Sequence, residues 1–514
     1  MRLDTILVLD FGGQYCHLIA KRIRELNVYS EVVPHEASPR EIKHLDERFD
    51  IKGLILSGGP TSVYDEQAPR LDDEILSLGL PVLGICYGHQ LLALMSGGEV
   101  KRASTKEYGI AHAIIDKPRG VLGGLGRRER VWMSHGDNVV AIHGDCEVLA
   151  HTKNCSIAAF RHKLKPIYGL QWHPEVTHTK SGKLMLRNFV FEVCGCEANW
   201  RTEDFVERSV REVRQIIGHG KAVIGLSGGI DSSVTTVIAA KAIGENLTAV
   251  FVDHGFMREG EPDFVKRTFQ KLGVNLVCVD AARTFLHRLR GVTDPELKRK
   301  IIGEEFVRVF EKVAERVGAD YLLQGTIYPD RIESGIRRYS DKIKTHHNVA
   351  GLPTKIKFRG IVEPLRDLYK DEVREVAESL GLPKNIVWRQ PFPGPGLAVR
   401  VVGEVTQEKI DIVGKADSIL REEIEDSGLS KSLWQYFAVL TDTKSTGVKG
   451  DSRAYGHTVA VRAVESKEAM TATFANIPYH ILEKVSTRIT NEVPEVVRVV
   501  YDVTHKPPST IEWE

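Results

Sequence analysis

Cys86 lies between two glycines, in Gly84-Ile-Cys86-Tyr-Gly88, directly after an apolar run. This is the spacing of a nucleophile elbow, with sulfur where a serine hydroxyl usually stands. Such a turn exposes the side chain at a helix N-terminus, which favours the reactive thiolate. A cysteine nucleophile needs a base, and Gln171-Trp-His-Pro-Glu175 offers one. Pro174 biases His173 toward extended backbone, where residues i and i+2 point the same way, so Glu175 can reach the His173 ring. Cys86, His173 and Glu175 therefore read as nucleophile, base and orienter. Gly58 and Gly59 end a neighbouring strand, where the Gly59 amide could join that of Tyr87 in an oxyanion hole.

A second set of residues suits phosphate. Ser227, Gly228, Gly229, Ile230, Asp231, Ser232 and Ser233 follow the apolar run Ala222 to Leu226 and open a helix, for which Asp231 or Ser232 can act as cap. A glycine turn at a helix start points backbone N–H groups at a ligand, and the three serines add hydroxyl donors. Asp231 would repel phosphate unless a cation lies between them, so it reads as a Mg2+ contact. The turn holds no lysine, unlike the P-loop, and lacks G-x-G-x-x-G.

The elements needed to position these residues are legible. Thr5 to Leu9, Gly53 to Leu56 and Pro81 to Ile85 read as buried strands, each ending in glycines or polar residues; so do 222–226, 247–252, 276–279 and 321–323. Strands alternating with helices imply two doubly wound α/β sheets with sites at the carboxyl ends of their strands. An amphipathic helix over 199–217, with Phe205, Val206, Val210, Val213 and Ile217 on one side, joins the two. Beyond the stiff 389–396 segment, with its three prolines, strands at 437–440, 458–464 and 496–503 and helices near 468–474 and 479–491 predict a small α+β unit. The basic run 294–303 reads as a solvated helix face. The polar span 327–360, with Arg337, Arg338, His346, His347 and Lys355, reads as an insert or a lid; the histidine pair has no carboxylate or cysteine company for a metal. An aromatic residue and two prolines near the terminus predict a tail that is tied down.

The pieces S-G-G-P, G-I-C-Y-G-H-Q and Q-W-H-P-E resemble the class I (triad-type) glutamine amidotransferases, over about residues 5 to 195. Ser227 to Ser233 resembles the S-G-G-x-D-S-S loop of the N-type ATP pyrophosphatases (PP-loop enzymes). With E-P-L-R-D-L-Y-K-D-E-V-R, P-F-P-G-P-G-L, G-V-K-G-D-S-R and K-P-P-S-T-I-E-W-E, the chain resembles the glutamine-hydrolysing GMP synthases from end to end, in their short, dimeric form. That resemblance implies three domains: an amidotransferase at 1–197, a PP-loop synthetase at 198–389 and a dimerisation and XMP-binding domain at 390–514. It implies XMP, ATP and glutamine as substrates with Mg2+, a homodimer, and XMP contacts at Arg299, Lys506 and Glu512.

Bulk properties agree. At 514 residues the chain is long enough for about three domains. A net charge of +1 provides no basic field and counts against nucleic acid as a partner. No apolar run approaches membrane-spanning length, and the N-terminal run is too short for a signal peptide, so the expectation is a cytoplasmic enzyme. Seven cysteines over such a length do not suggest a disulfide framework, and Cys194-Gly-Cys196 reads as structural. The competing readings are another amidotransferase-coupled ligase such as an NAD synthetase, which the tail motif argues against, and a PP-loop RNA-modifying enzyme, which the near-zero charge and absence of cysteine pairs argue against.

Overall fold

The structure is a computed structural model and describes residues 2–333, 343–344, 358–466 and 471–514. The chain forms two compact units, residues 1–205 and 206–514.

In the first unit the runs read as buried strands lie side by side. They are β1 (Asp4–Asp10), β2 (Tyr29–Pro34), β3 (Asp50–Leu56) and β4 (Val82–Ile85), with β5 (Glu99–Ile115), β6 (Arg128–Ala141), β7 (Cys146–His151), β8 (Ala159–His162) and β9 (Ile167–Leu170) completing one nine-stranded sheet in the order β2-β1-β3-β4-β9-β8-β7-β5-β6. From β2 to β9 the neighbours are parallel; beyond β9 they are antiparallel. Ile6 to Leu9, Leu54 to Leu56 and Leu83 are fully buried, as central parallel strands covered on both faces require. The antiparallel half lies beyond the parallel strands expected from the sequence. Its signal is the period of two in β6, where Val131, Met133, His135, Asp137 and Val139 are buried in alternation.

The second unit holds two sheets. The first comprises β10 (Ala222–Gly225), β11 (Leu247–Asp253), β12 (Leu276–Asp280), β13 (Tyr321–Leu323), β14 (Ile343–Lys344) and β15 (Gly360–Val362), in the order β12-β11-β10-β13-β15-β14, parallel except for β14. The other comprises β16 (Gln435–Lys449), β17 (Ser452–Glu465), β18 (Thr473–Phe474) and β19 (Val496–Tyr501), with β19 parallel to β17. An apolar core runs through the unit, from Val223, Val250 and Leu322 through Leu397 and Val401 to Ala438 and Val459.

Several expectations change. The joining helix is Thr202–Ile217; Phe205, Ser209, Val213 and Ile217 form its buried stripe, while Val206 and Val210 are half-buried. Of the helix expected near 468–474, the described residues Thr473–Phe474 form β18 instead, which pairs with Val464 and Glu465, and Ala472 bridges Lys506. Residues 467–470 lie outside the described residues. In the basic run, the helix Pro295–Val317 starts at Asp294, whose carboxylate accepts from the Leu297 amide at 2.8 Å. Lys298 on that helix is not solvated: it is fully buried, donates to the Val401 carbonyl at 2.7 Å and pairs with Glu514. Burial lowers its pKa despite the attraction of Glu514. Within the span read as a lid, a helix occupies Tyr328–Glu333; Arg337, Arg338, His346, His347 and Lys355 lie outside the described residues.

All seven cysteines are unpaired. The tail is indeed fastened. Buried Arg462 donates to the Thr504 and Thr510 carbonyls and the Ser509 hydroxyl at 2.5–3.1 Å, and Trp513 Nε1 donates to Asp502 at 3.0 Å.

Candidate functional site

Cys86 stands between β4 and the helix Tyr87–Met95, with φ 54° and ψ −102°. A non-glycine residue is held in such backbone only where its surroundings over-determine it. They do so here: a Cβ on Gly84 would lie 2.3 Å from the Gly88 carbonyl oxygen, and one on Gly88 would lie 2.5 Å from that of Leu56. The elbow can close only with glycine at both positions. The Cys86 amide donates to the Leu170 carbonyl at 2.8 Å, and Sγ faces the Ser134 carbonyl at 3.5 Å.

His173 and Glu175 follow β9. Nδ1 of His173 lies 2.6 Å from Glu175 Oε1, with both side chains buried. The His173 amide donates to the Trp132 carbonyl, its own carbonyl accepts from Thr179, and the Tyr15 ring meets its imidazole edge-on. Burial acts against a charged His173 ring, but Glu175 and Cys86 outweigh it and hold its pKa well above the ordinary value. Gly58 marks where the parts converge: a Cβ there would sit 3.2 Å from His173 Cε1 and 3.7 Å from Cys86 Cβ. Gly59 packs against Tyr87, whose Cγ would be 3.2 Å from a Cβ at Gly59. The sequence reading missed three neighbours: Ser134, Gln171, whose Nε2 is 3.8 Å from Cys86 Sγ, and Arg22, whose Nε donates to the Glu175 carbonyl at 3.0 Å. This arrangement offers a nucleophile and a base oriented by a carboxylate.

In the second unit the chain leaves β10, turns at Gly228 (φ 74°) and enters the helix Ile230–Ile243. Gly229 is its N-cap, not Asp231 or Ser232 as expected, because the turn at Gly228 starts the helix earlier. Ser227, Gly229, Ile230 and Asp231 line a cleft of about 1100 Å3 that continues past Phe251, His254 and Phe310. The hydroxyls of Ser227 and Ser232 lie 3.0 Å apart, and Ser233 donates to the Gly229 carbonyl at 2.7 Å, so the loop is laced to itself. Asp231 does have a cation, and it is Lys370: Nζ lies 2.8 and 2.6 Å from the two carboxylate oxygens. The sequence held the signal for Lys370, a lysine opening the helix Lys370–Ser379, but spacing alone does not say which of many lysines folds back over 139 residues. Arg374 and Arg389 line the same cleft, and Arg389 pairs with Glu261.

Among the described residues, no group of three or more His, Cys, Asp or Glu side chains could hold a metal ion. A Mg2+ ion carried by nucleotide phosphates needs only one or two protein carboxylates, and Asp231 is the loop residue of that kind.

The three residues expected at XMP each have a contact within this chain. Glu512 accepts from Arg400 at 3.0 and 3.2 Å and from Gln435 at 2.5 Å. Arg299 donates to the main chain of Glu514. The backbone of Lys506 bridges Ala472.

Three family models match the chain: "Glutamine amidotransferase class-I" over residues 7–193, "NAD synthase" over 200–303 and "GMP synthase C terminal domain" over 422–513. The chain is similar to proteins named GMP synthase (glutamine-hydrolyzing) from Clostridium tetani and Caldicellulosiruptor saccharolyticus, each 52% identical over 516 residues and matched over 100% of both chains. The protein of that name from Symbiobacterium thermophilum is 52% identical over 99% of each chain.

Proposed function

The chain belongs to the glutamine-hydrolysing GMP synthases, and on that premise we propose that it converts XMP, ATP, glutamine and water into GMP, AMP, pyrophosphate and glutamate. The observation that carries the reading is the coexistence of a cysteine elbow facing a carboxylate-oriented histidine with a phosphate-loop cleft in one chain.

In the first unit, Cys86 attacks the side-chain amide carbon of glutamine. The amides of Gly59 and Tyr87 stabilise the oxyanion, and His173 passes a proton to the departing ammonia. Water then hydrolyses the thioester and releases glutamate. Glu175 keeps the His173 ring oriented and favours its charged form, as the geometry requires of an orienter.

In the second unit, the loop Ser227, Gly228, Gly229, Ile230, Asp231, Ser232 and Ser233 binds the polyphosphate of ATP. The C2 oxygen of XMP attacks the α-phosphorus and pyrophosphate leaves; ammonia then adds at C2 and AMP departs. Adenylylation is needed because the purine oxygen is otherwise a poor leaving group. Lys370 is poised to exchange its ion pair with Asp231 for a phosphate. Mg2+ held by Asp231 and the nucleotide would supply charge neutralisation on the leaving pyrophosphate. Arg299, Lys506 and Glu512 form the XMP end of the site. Glu512 serves there together with Arg400, whose guanidinium fixes it.

We divide the chain by function at 1–197, 198–389 and 390–514, and read the protein as a cytoplasmic homodimer. No helix among the described residues is long and apolar enough to cross a membrane. Supporting a dimer, a groove of about 350 Å3 between the helix Tyr479–Glu492 and β19 is lined by Leu482, Val485, Val499 and Val500, with Tyr479 90% exposed at its edge. The deciding assay is XMP-dependent pyrophosphate release with either glutamine or ammonium as nitrogen donor. No release with either donor would refute the assignment.

A further inference from the structure

A second carboxylate–histidine pair lies behind the wall that Cys86 faces. Glu107 on β5 and His135 on β6 are register partners, 8% and 4% exposed, and His135 Nε2 is 3.3 Å from Glu107 Oε2. The other ring nitrogen, Nδ1, lies 3.0 Å from the Asp137 carbonyl oxygen, which can only accept, so Nδ1 carries a proton. Nε2 makes no hydrogen bond, so the ring and the carboxylate are held together by packing and by the pull of Glu107 on the ring. Thr152 donates to both Glu107 oxygens, at 3.2 Å to Oε1 and 3.1 Å to Oε2, and Asn154 donates to Oε1 at 3.3 Å.

The position of this pair gives it a task. The β5–β6 ladder is interrupted here: Arg102 pairs with Asp137 and Glu107 with His135, so four residues on β5 oppose one on β6. Backbone pairing alone does not fix the register at such an interruption. Yet the same stretch of β6 supplies the Trp132 carbonyl that accepts from the His173 amide and the Ser134 carbonyl that faces Cys86 Sγ. The Asp137 carbonyl also accepts from Gln90 at 2.9 Å, Gln90 donates to Gln171 at 3.2 Å, and Gln171 reaches Cys86. Two routes, one through the strand and one through the glutamines, thus lead from the pair to the nucleophile.

We propose that Glu107 and His135 form a positioning pair that sets β6 residues 132–137 against Cys86 and His173. This inference rests on reading Cys86, His173 and Glu175 as the glutaminase site. Burial lowers the His135 pKa, with Glu107 opposing it and a charged His173 adding to the lowering.

The test uses the full chain, with glutamine- and ammonium-dependent GMP formation measured side by side and the alkylation rate of Cys86 by iodoacetamide as a third readout. Glu107→Ala and His135→Asn should each lower kcat with glutamine by about ten- to a hundredfold, the scale of a misplacement near 1 Å. KM should move much less, alkylation should slow, and ammonium-dependent synthesis should stay within about twofold. Glu107→Gln, whose amide can donate to a bare Nε2 while its oxygen keeps Thr152, should restore most of the lost kcat. Two results would overturn the pair's role: glutamine turnover within about twofold of the parent, or equal loss with both nitrogen donors, which marks mere destabilisation. Should Glu107→Ala not fold, His135→Asn decides by the same readouts. A Cys86→Ala control that still uses glutamine would refute the site reading instead of the pair.

Discussion

At the residue scale, two carboxylates do different work because of what faces them. Glu175 is turned onto His173 and Asp231 onto Lys370, and each carboxylate has the partner its charge needs. If Cys86 is the glutaminase nucleophile, Cys86→Ala should lower glutamine-dependent synthesis by at least about a thousandfold and leave synthesis from high ammonium near the parent rate. Equal loss of both rates would show that the sites are not separate. The raised pKa of His173 also has a thermodynamic sign. A histidine whose folded pKa lies above its unfolded value stabilises the fold fully below the unfolded value, near 6.5. That stability is lost as pH rises through the folded value. The excess melting temperature of the parent over Glu175→Gln should therefore shrink as pH is raised from 6 toward 9. A gap that widens with pH would contradict the ion-pair account.

At the scale of the element, the phosphate loop depends on one glycine in left-handed backbone. A Cβ on Gly228 would meet Val265 at 2.8 Å and Arg389 Nη1 at 3.0 Å, in addition to the strain of φ 74°. Gly228→Ala should cost about 1–2 kcal/mol from the backbone alone and weaken synthesis with either nitrogen source, while glutamine hydrolysis chemistry persists. Lys370→Ala tests the same loop from across the cleft. If Lys370 meets phosphate, its loss should raise KM for ATP about ten- to a hundredfold, the worth of one charge-assisted hydrogen bond. Titrating ATP at saturating XMP and ammonium measures it. An unchanged KM would leave Lys370 as the partner of Asp231 and nothing more. Asp231→Asn, judged by the same assay, should abolish synthesis from either donor.

At the scale of the whole molecule, the tail and the groove carry the expectations. Lys506→Ala should raise KM for XMP about ten- to a hundredfold. Glu512→Ala should in addition lower the melting temperature, because Arg400 and Gln435 both rely on that carboxylate. An effect of Glu512→Ala on stability with none on XMP would confine the residue to holding the tail. If the groove is a dimer interface, Leu482→Arg puts a charge in it and should shift sedimentation equilibrium toward monomer; a mass that stays at twice the chain would move the interface elsewhere.

What the sequence determined by itself was local: the glycines around Cys86, the loop after Leu226 and the apolar runs of the parallel strands. These are short-range features, set by φ/ψ limits and by burial on both faces, and the structure repeats them nearly residue for residue, whereas Pro174 and Glu175 lie in a turn and not in the extended backbone expected there. The tertiary structure alone decided which distant charges meet. Lys370 closes on Asp231 over 139 positions, Arg400 on Glu512 over 112 and Lys298 on Glu514 over 216. A lysine or arginine looks the same in sequence whether it is solvated or buried against a carboxylate. The basic run 294–303 therefore read as a solvated face until Lys298 was seen inside. The antiparallel half of the first sheet, the source of Ser134 and of the Glu107–His135 pair, depended on the fold for the same reason. Strand pairing across an interrupted ladder is a property of two segments together, and neither carries it alone.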